Sequence, residues 1–302
     1  LDSMKYWVTE MGVDGFRFDL ATALIRGGEH HVDQQHEFKR RIASEPVFEG
    51  IKMIAEPWDL GPYGYQVGSW GEGWSEWNDQ YRNFARDFWR GATQGVAPLA
   101  TRLSGSPDIF DHDGRGLAST VNFITAHDGF TMRDLVTYDI KHNDANGEAN
   151  RDGADDNRSW NCGWEGETTD PGINDFRHRQ VKNMLATLIL SSGVPMITAG
   201  DELGRTQGGN NNAYCQDSPL SWVHWDTLDG WHDVNELAAT LLRARREFPP
   251  LRTATYRQHT EVVDADGNGL GRYDLAWMDD WNGKMHDNQW HKGGNLHLGM
   301  YD

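Results

Sequence analysis

The chain is poor in cysteine, in positive charge and in long apolar runs, and each scarcity excludes something. Its two cysteines, Cys162 and Cys215, lie far apart without metal-ligand spacing. That argues against a disulfide framework and a zinc site, and leaves inert thiols as the expectation. Lys and Arg number 28 against 46 Asp and Glu, a formal net charge of -18. Such a surface repels phosphate backbones and anionic bilayers, so neither nucleic acid nor a membrane is an expected partner and a neutral ligand is. No apolar run approaches the length needed to span a bilayer. A cytoplasmic location is the expectation, although the start of the sequence bears little on it. Because Leu1 already stands in a helix, the true N-terminus is expected to lie upstream.

What the chain does have is 302 residues, 14 Trp and 34 Gly. The length permits one barrel-sized domain or two smaller ones. Flat aromatic surfaces with permissive turns suit carbohydrate, whose C–H faces stack on rings while its hydroxyls seek carboxylates and amides.

The stretch Gly15-Phe16-Arg17-Phe18-Asp19 organises the rest. As a strand it places Gly15, Arg17 and Asp19 on one face and Phe16 and Phe18 on the other. Leu1, Met4, Val8 and Met11 recur before it at helical spacing, and Gly12 stops that helix. A helix over Phe38 to Ala43 is expected to end near Pro46, and the apolar run 51–55 to form a strand that delivers Glu56 ahead of Pro57 and Trp58. Residues 61–73 make a glycine- and aromatic-rich loop. A helix follows Asn78 or Asp79, with Tyr81, Phe84, Phe88 and Trp89 on its buried face. Residues 98–113 read as irregular with one short helix. Residues 121–126 form a strand rich in β-formers that runs into His127 and Asp128.

Residues 142–164 are loaded with Asn, Asp and Gly, yet no register places carboxylates where a calcium loop requires them. A solvated loop rimming a cleft is the expectation, with no metal. Val181, Met184, Leu185, Leu188 and Ile189 mark a long helix ended at Gly193, and a strand over 194–199 leads to Asp201 and Glu202, read as ordinary loop or helix-start acids. Residues 208–212 read as a flexible polar loop. A last helix shows Leu237, Leu241 and Leu242 before Pro249 and Pro250. Short strands over 271–278 and 295–300 suggest a small β domain, giving a division into 1–250 and 251–302.

Alternation of strands and helices predicts an α/β fold with a parallel sheet and a site at the strands' C-terminal ends. Asp19, Glu56 and Asp128 all fall at such ends. Glycoside hydrolysis needs a nucleophilic carboxylate and a protonated carboxylic acid flanking one bond, about 5 to 5.5 Å apart in retaining enzymes. The three acids are its candidates.

Gly-Phe-Arg-Phe-Asp at 15–19, Ala-Glu-Pro-Trp at 55–58 and Thr-Ala-His-Asp-Gly at 125–129 resemble three signature regions of the α-amylase superfamily. Those are retaining enzymes on a (β/α)8 TIM barrel. The Glu-Pro-Trp form, the run Asn-Gly-Glu-Ala-Asn-Arg-Asp-Gly at 146–153 and Asn-Asn-Asn-Ala-Tyr-Cys-Gln-Asp at 210–217 look specifically like bacterial glycogen debranching enzymes and isoamylases. The resemblance implies Asp19 as nucleophile, Glu56 as general acid and base, and Asp128 as transition-state stabiliser. It further implies that Arg17 orients Asp19, that His127 hydrogen-bonds the sugar and that Trp58 offers a stacking face. It implies no cofactor, and a branched α-glucan such as glycogen or limit dextrin as partner.

The family's first signature and its preceding β-sandwich domain have no counterpart, because Leu1 lies just before the fourth barrel strand. Only strands four to eight are expected, the sixth near Trp74 to Trp77, and the 302 residues alone are expected to be inactive. An α-1,4-acting amylase, a glucanotransferase and a catalytically silent glucan-binding fragment are the alternatives.

Overall fold

The computed structural model describes residues 1–225, 230–280, 283–295 and 297–301. Residues 281, 282, 296 and 302, within the expected β domain, lie outside the described residues. The elements are α1 (Asp2–Thr9), β1 (Gly15–Phe18), α2 (Glu37–Ser44), β2 (Lys52–Ala55), β3 (Trp74–Asn78), α3 (Asp79–Trp89), α4 (Ala97–Leu103), α5 (Pro107–Phe110) and β4 (Thr120–Phe123). They continue with α6 (Pro171–Leu190), β5 (Val194–Met196), α7 (His232–Glu247), β6 (Glu261–Val263), β7 (Gly269–Tyr273), β8 (Ala276–Met278), α8 (Asp287–Trp290) and β9 (Gly299–Tyr301). Strands β1 to β5 follow one another in a five-stranded sheet, while β6–β7 and β8–β9 form two small antiparallel pairs. The expected α/β class is what forms. Residues 97–110 carry two short helices where one was expected.

Two compact units divide the chain. The first comprises Leu1–Asn78, Gly105–Val121 and Ala254–Tyr256. Here β1, β2 and β3 run parallel, with Phe18 opposite Ala55 and Ala55 opposite Glu76. A side chain on Gly15 would stand 2.9 Å from the carbonyl oxygen of Lys52, so only glycine lets these strands approach as they do. Phe18 packs 5.2 Å from Trp74 and 5.6 Å from Phe38, ring centre to ring centre, in a cluster with Met53, Ile42 and Trp70. That apolar layer is the one expected opposite Arg17 and Asp19.

From the middle of β3 a fully buried ion pair joins Glu76 to Arg115 at 2.7 Å. Glu76 also accepts the backbone N–H groups of Gly68, at 2.6 Å, and Trp70, at 3.1 Å. Arg115 donates to the carbonyls of Gly68 and Trp74. The far end of the 61–73 loop is therefore pinned from inside.

The second unit comprises Asp79–Ser104, Asn122–Thr253 and Arg257–Asp302. Its main core gathers Tyr81, Ile124, Phe130, Met132, Val181, Met184, Leu185 and Leu188 around α6. Asp170 caps that helix by accepting the N–H of Ile173, and Pro171 opens it where no donor is needed. In α7 the buried side is Val234, Ala238 and Arg245, with Leu237 and Leu241 half-buried beside them and Leu242 exposed. Arg245 is held there because its guanidinium donates to the carbonyls of Ile189, Ser191 and Gly193, satisfying the orphan acceptors where α6 ends.

Candidate active site

Arg17, Asp19, Glu56 and Trp58 lie in the first unit, His127 and Asp128 in the second. In the first, the parallel register that aligns Phe18 with Ala55 puts Asp19 and Glu56 next in line, one residue beyond neighbouring strand ends. The Glu56 N–H donates to the Phe18 carbonyl and the Ala21 N–H to the Glu56 carbonyl, extending the pairing past the strands.

One guanidinium touches both acids. Arg17 Nη1 donates to Asp19 Oδ1 at 2.6 Å, and Nη2 lies 3.1 Å from Glu56 Oε2. The Arg17 guanidinium rests 4.2 Å above the Trp77 ring, a cation–π contact that fixes its height. Glu56 is buried and also accepts the Leu20 N–H at 2.6 Å, whereas the Asp19 side chain is 73% exposed. Leu20 reaches that donor position by adopting left-handed backbone angles (φ 41, ψ 50). Such a conformation in a branched residue costs on the order of 1–3 kcal/mol and is a form of strain held at functional sites.

Trp58, two residues beyond Glu56, is half-buried, and the loop after it is clamped by Arg26, paired two-pronged to Asp59 at 2.7 Å on both arms. The Arg26 guanidinium holds the Asp59 carboxyl below its usual range.

In the second unit, β4 ends at Phe123, earlier than expected, and residues 125–132 form a loop that lifts His127 and Asp128 to the surface. The buried Arg86 donates to the Ile124 carbonyl at 2.8 and 2.6 Å and to the Asn157 carbonyl at 3.0 Å, and burial pushes its guanidinium down to about 9. Asp128 lines a polar cavity of about 340 Å³ with Arg82, Arg86, Asn157 and Asn212.

The two Asn-rich stretches expected to be solvated or flexible hold each other instead. Asn143, Asn157, Asn210 and Asn211 are buried. Asn211 Nδ2 donates to Asn157 Oδ1 and to the Ala154 carbonyl, both at 2.8 Å, while Asn143 Nδ2 donates to Asn211 Oδ1 at 2.8 Å. Asn146 Nδ2 reaches Asp152 at 2.7 Å and the Asn212 carbonyl at 2.8 Å. Amides carry donors and acceptors together, so two Asn-rich segments can satisfy one another without water. Among the described residues no group of His, Cys, Asp and Glu could hold a metal ion, and no helix is long and apolar enough to cross a membrane.

In the second unit the sequence did not single out two buried carboxyls, Asp201 and Asp134. Asp201 accepts the Thr125 hydroxyl and, at 2.9 Å, the Met132 N–H. Asp134 accepts the Thr206 hydroxyl and, at 2.8 Å, the Gln207 N–H. The rule that singled out Asp19, Glu56 and Asp128, an acid just past a strand, also fits Asp201 after β5. Burial pushes both carboxyls up to about 6, against the pull of their donors.

At pH values between the ordinary carboxylate range and about 6 the folded chain therefore binds more protons than the unfolded one. The stability this lends is fully present below that window and is lost as pH rises through 6. Between pH 5 and 7 the loss is expected to be roughly 1 kcal/mol per group. Urea unfolding at pH 5, 6 and 7 checks it: Asp201→Asn should flatten the slope relative to the parent, and an unchanged slope contradicts it.

The fold is similar to that of solved pullulanases. The pullulanase from Bacillus acidopullulyticus is 24% identical with a TM-score of 0.60, covering 84% of this chain and 28% of its own. The apo pullulanase from Paenibacillus barengoltzii is 19% identical with a TM-score of 0.61, covering 93% and 40%. At these identities the likeness shows the fold alone.

Sequence relatives are nearer. The chain is 47% identical over 293 residues to the glycogen operon protein GlgX homolog of Mycobacterium tuberculosis, covering 97% of this chain and 40% of the relative. It is 43% identical over 281 residues to the glycogen debranching enzyme of Erwinia tasmaniensis, covering 92% and 42%. No family model matches the chain. It spans about two fifths of the length of these curated relatives. Over nearly its whole length the chain is thus similar in sequence to bacterial glycogen debranching enzymes, the resemblance its motifs carry.

Proposed function

We propose that the protein containing this chain hydrolyses α-1,6 branch linkages of glycogen or limit dextrin by a retaining double displacement. Asp19 attacks the anomeric carbon while Glu56 gives its proton to the departing oxygen. Glu56 then takes a proton from water as that water attacks the same carbon and frees Asp19. Asp128 and His127 hold sugar hydroxyls, and Trp58 stacks on the substrate. The five strands β1 to β5 correspond to strands four to eight of a barrel. Residues 1–250 belong to it and 251–302 to a β domain, in a cytoplasmic enzyme that the 302 residues alone do not reconstitute.

The observation that carries this reading is the single guanidinium shared by Asp19 and Glu56. As Asp19 becomes a neutral glycosyl ester, Glu56 has just lost its proton. Arg17 can then transfer its attraction from the nucleophile to the base without moving far. The nearer contact to Asp19 in the free chain is the one the first step requires.

Linkage choice separates debranching from α-1,4 hydrolysis. With full-length protein on pullulan, glycogen limit dextrin and amylose, faster turnover of limit dextrin is the expected result. A preference for amylose would rule out debranching.

A further inference from the structure

The loop that lifts His127 and Asp128 is tied at both ends by one side chain. Asp201 takes the Thr125 hydroxyl on Oδ2 and the Met132 N–H on Oδ1, so residues seven apart in sequence share one carboxyl. A third tie lies at the crown: the Gly129 N–H donates at 2.8 Å to the Asn211 carbonyl, with Gly129 in a left-handed conformation (φ +87). Thr125, Phe130, Thr131 and Met132 are buried, while His127 and Asp128 are exposed.

We propose that Asp201 is a positioning residue for Asp128: it fixes the width and pitch of the 125–132 loop and so the place of the carboxylate at its crown. This inference rests on the role given to Asp128 above. Three features favour it over a general structural role. Asp201 is 1% exposed and meets Thr125 and Met132, both neutral donors, so the fold retains a buried acid at a cost. Both bonds go to the ends of the loop carrying the motif rather than to α6 or α7. The two acceptor oxygens of a carboxyl also suit the task, since one hydroxyl and one N–H must be received by a single side chain.

In the full-length protein, Asp201→Ala is expected to lower kcat on a branched glucan about 100-fold, the scale of a misplacement of about 1 Å. Its KM should change by less than about threefold, because remote substrate contacts are untouched. Thr125→Val removes one tie at constant volume and should cost about tenfold in kcat. Asp201→Asn should recover to within about fivefold of the parent, since its carbonyl still accepts the Met132 N–H and the Thr125 hydroxyl can reverse to accept from the amide.

Circular dichroism establishes which variants fold. If Asp201→Ala does not fold, the folded Thr125→Val decides, and parental kcat in it overturns the proposal. Failure of Asp201→Asn to recover also overturns it, as does a purely KM effect. Asp128→Ala, measured alongside, separates the two readings. Parental turnover there removes the role of Asp128 and this inference with it. Loss of turnover there, with parental turnover in folded Asp201→Ala and Thr125→Val, removes the positioning role alone.

Discussion

Asp19→Asn in the full-length protein is expected to lower kcat on branched α-glucan by on the order of 10⁴-fold or more, because no covalent intermediate can form. The fold should be unaffected, since the Asp19 side chain is 73% exposed and pairs with the neighbouring Arg17. Comparison with Glu56→Gln sharpens the result. On the natural glucan both variants should be severely impaired. On an α-glucosyl fluoride, whose leaving group needs no proton, Glu56→Gln should form the glycosyl-enzyme at close to the parental rate while Asp19→Asn stays inactive. A burst from Asp19→Asn on the fluoride would remove it as nucleophile.

The second large effect is on stability. Arg115→Met is expected to lower the unfolding free energy by about 3–5 kcal/mol, the scale of leaving one member of a buried ion pair alone. Both side chains are fully buried, and burial already pushes the Glu76 carboxyl above its usual range despite Arg115. Removing the cation leaves that carboxyl with the Gly68 and Trp70 N–H groups. The double change Glu76→Gln with Arg115→Met should recover much of the loss, as replaced pairs commonly do. Guanidinium unfolding of the two variants measures the coupling, and a loss below about 1 kcal/mol in Arg115→Met would show the pair to be dispensable. Since Glu76 neighbours Trp77 on β3 and Trp77 supports Arg17, the same change should also raise the mobility of the Arg17 guanidinium.

Legibility followed physical range. Helix α6 was readable because its buried side repeats every three to four residues from Val181 to Ile189. Strand ends were readable because Asp19 and Glu56 each close a short β-forming run. Helix α7 was readable from its leucines; the burial of Arg245 within it was not, because an apolar pattern passes over the arginine that the end of α6 needs. Nor were the partners of Glu56: Arg17 and the Leu20 N–H are close to it only through the β1–β2 register. An acid kept protonated calls for a poorly polar setting, and around Glu56 the structure supplies a guanidinium and an N–H donor instead. The asparagine interlock was missed for a related reason. Segments some sixty residues apart each look solvated, and only their complementarity shows otherwise.

That interlock also sets how the protein ages. Asn146 precedes Gly147, the pairing most open to spontaneous loss of the side-chain amide, and asparagine is among the thermally labile residues. Its Nδ2 points at an oxygen of Asp152, and its Oδ1 receives Asn210 and Gln216. While those bonds hold, the amide cannot swing toward the Gly147 nitrogen. Once lost, it would leave a second carboxylate facing Asp152, so one slow chemical event would turn the clasp between two segments into a repulsion.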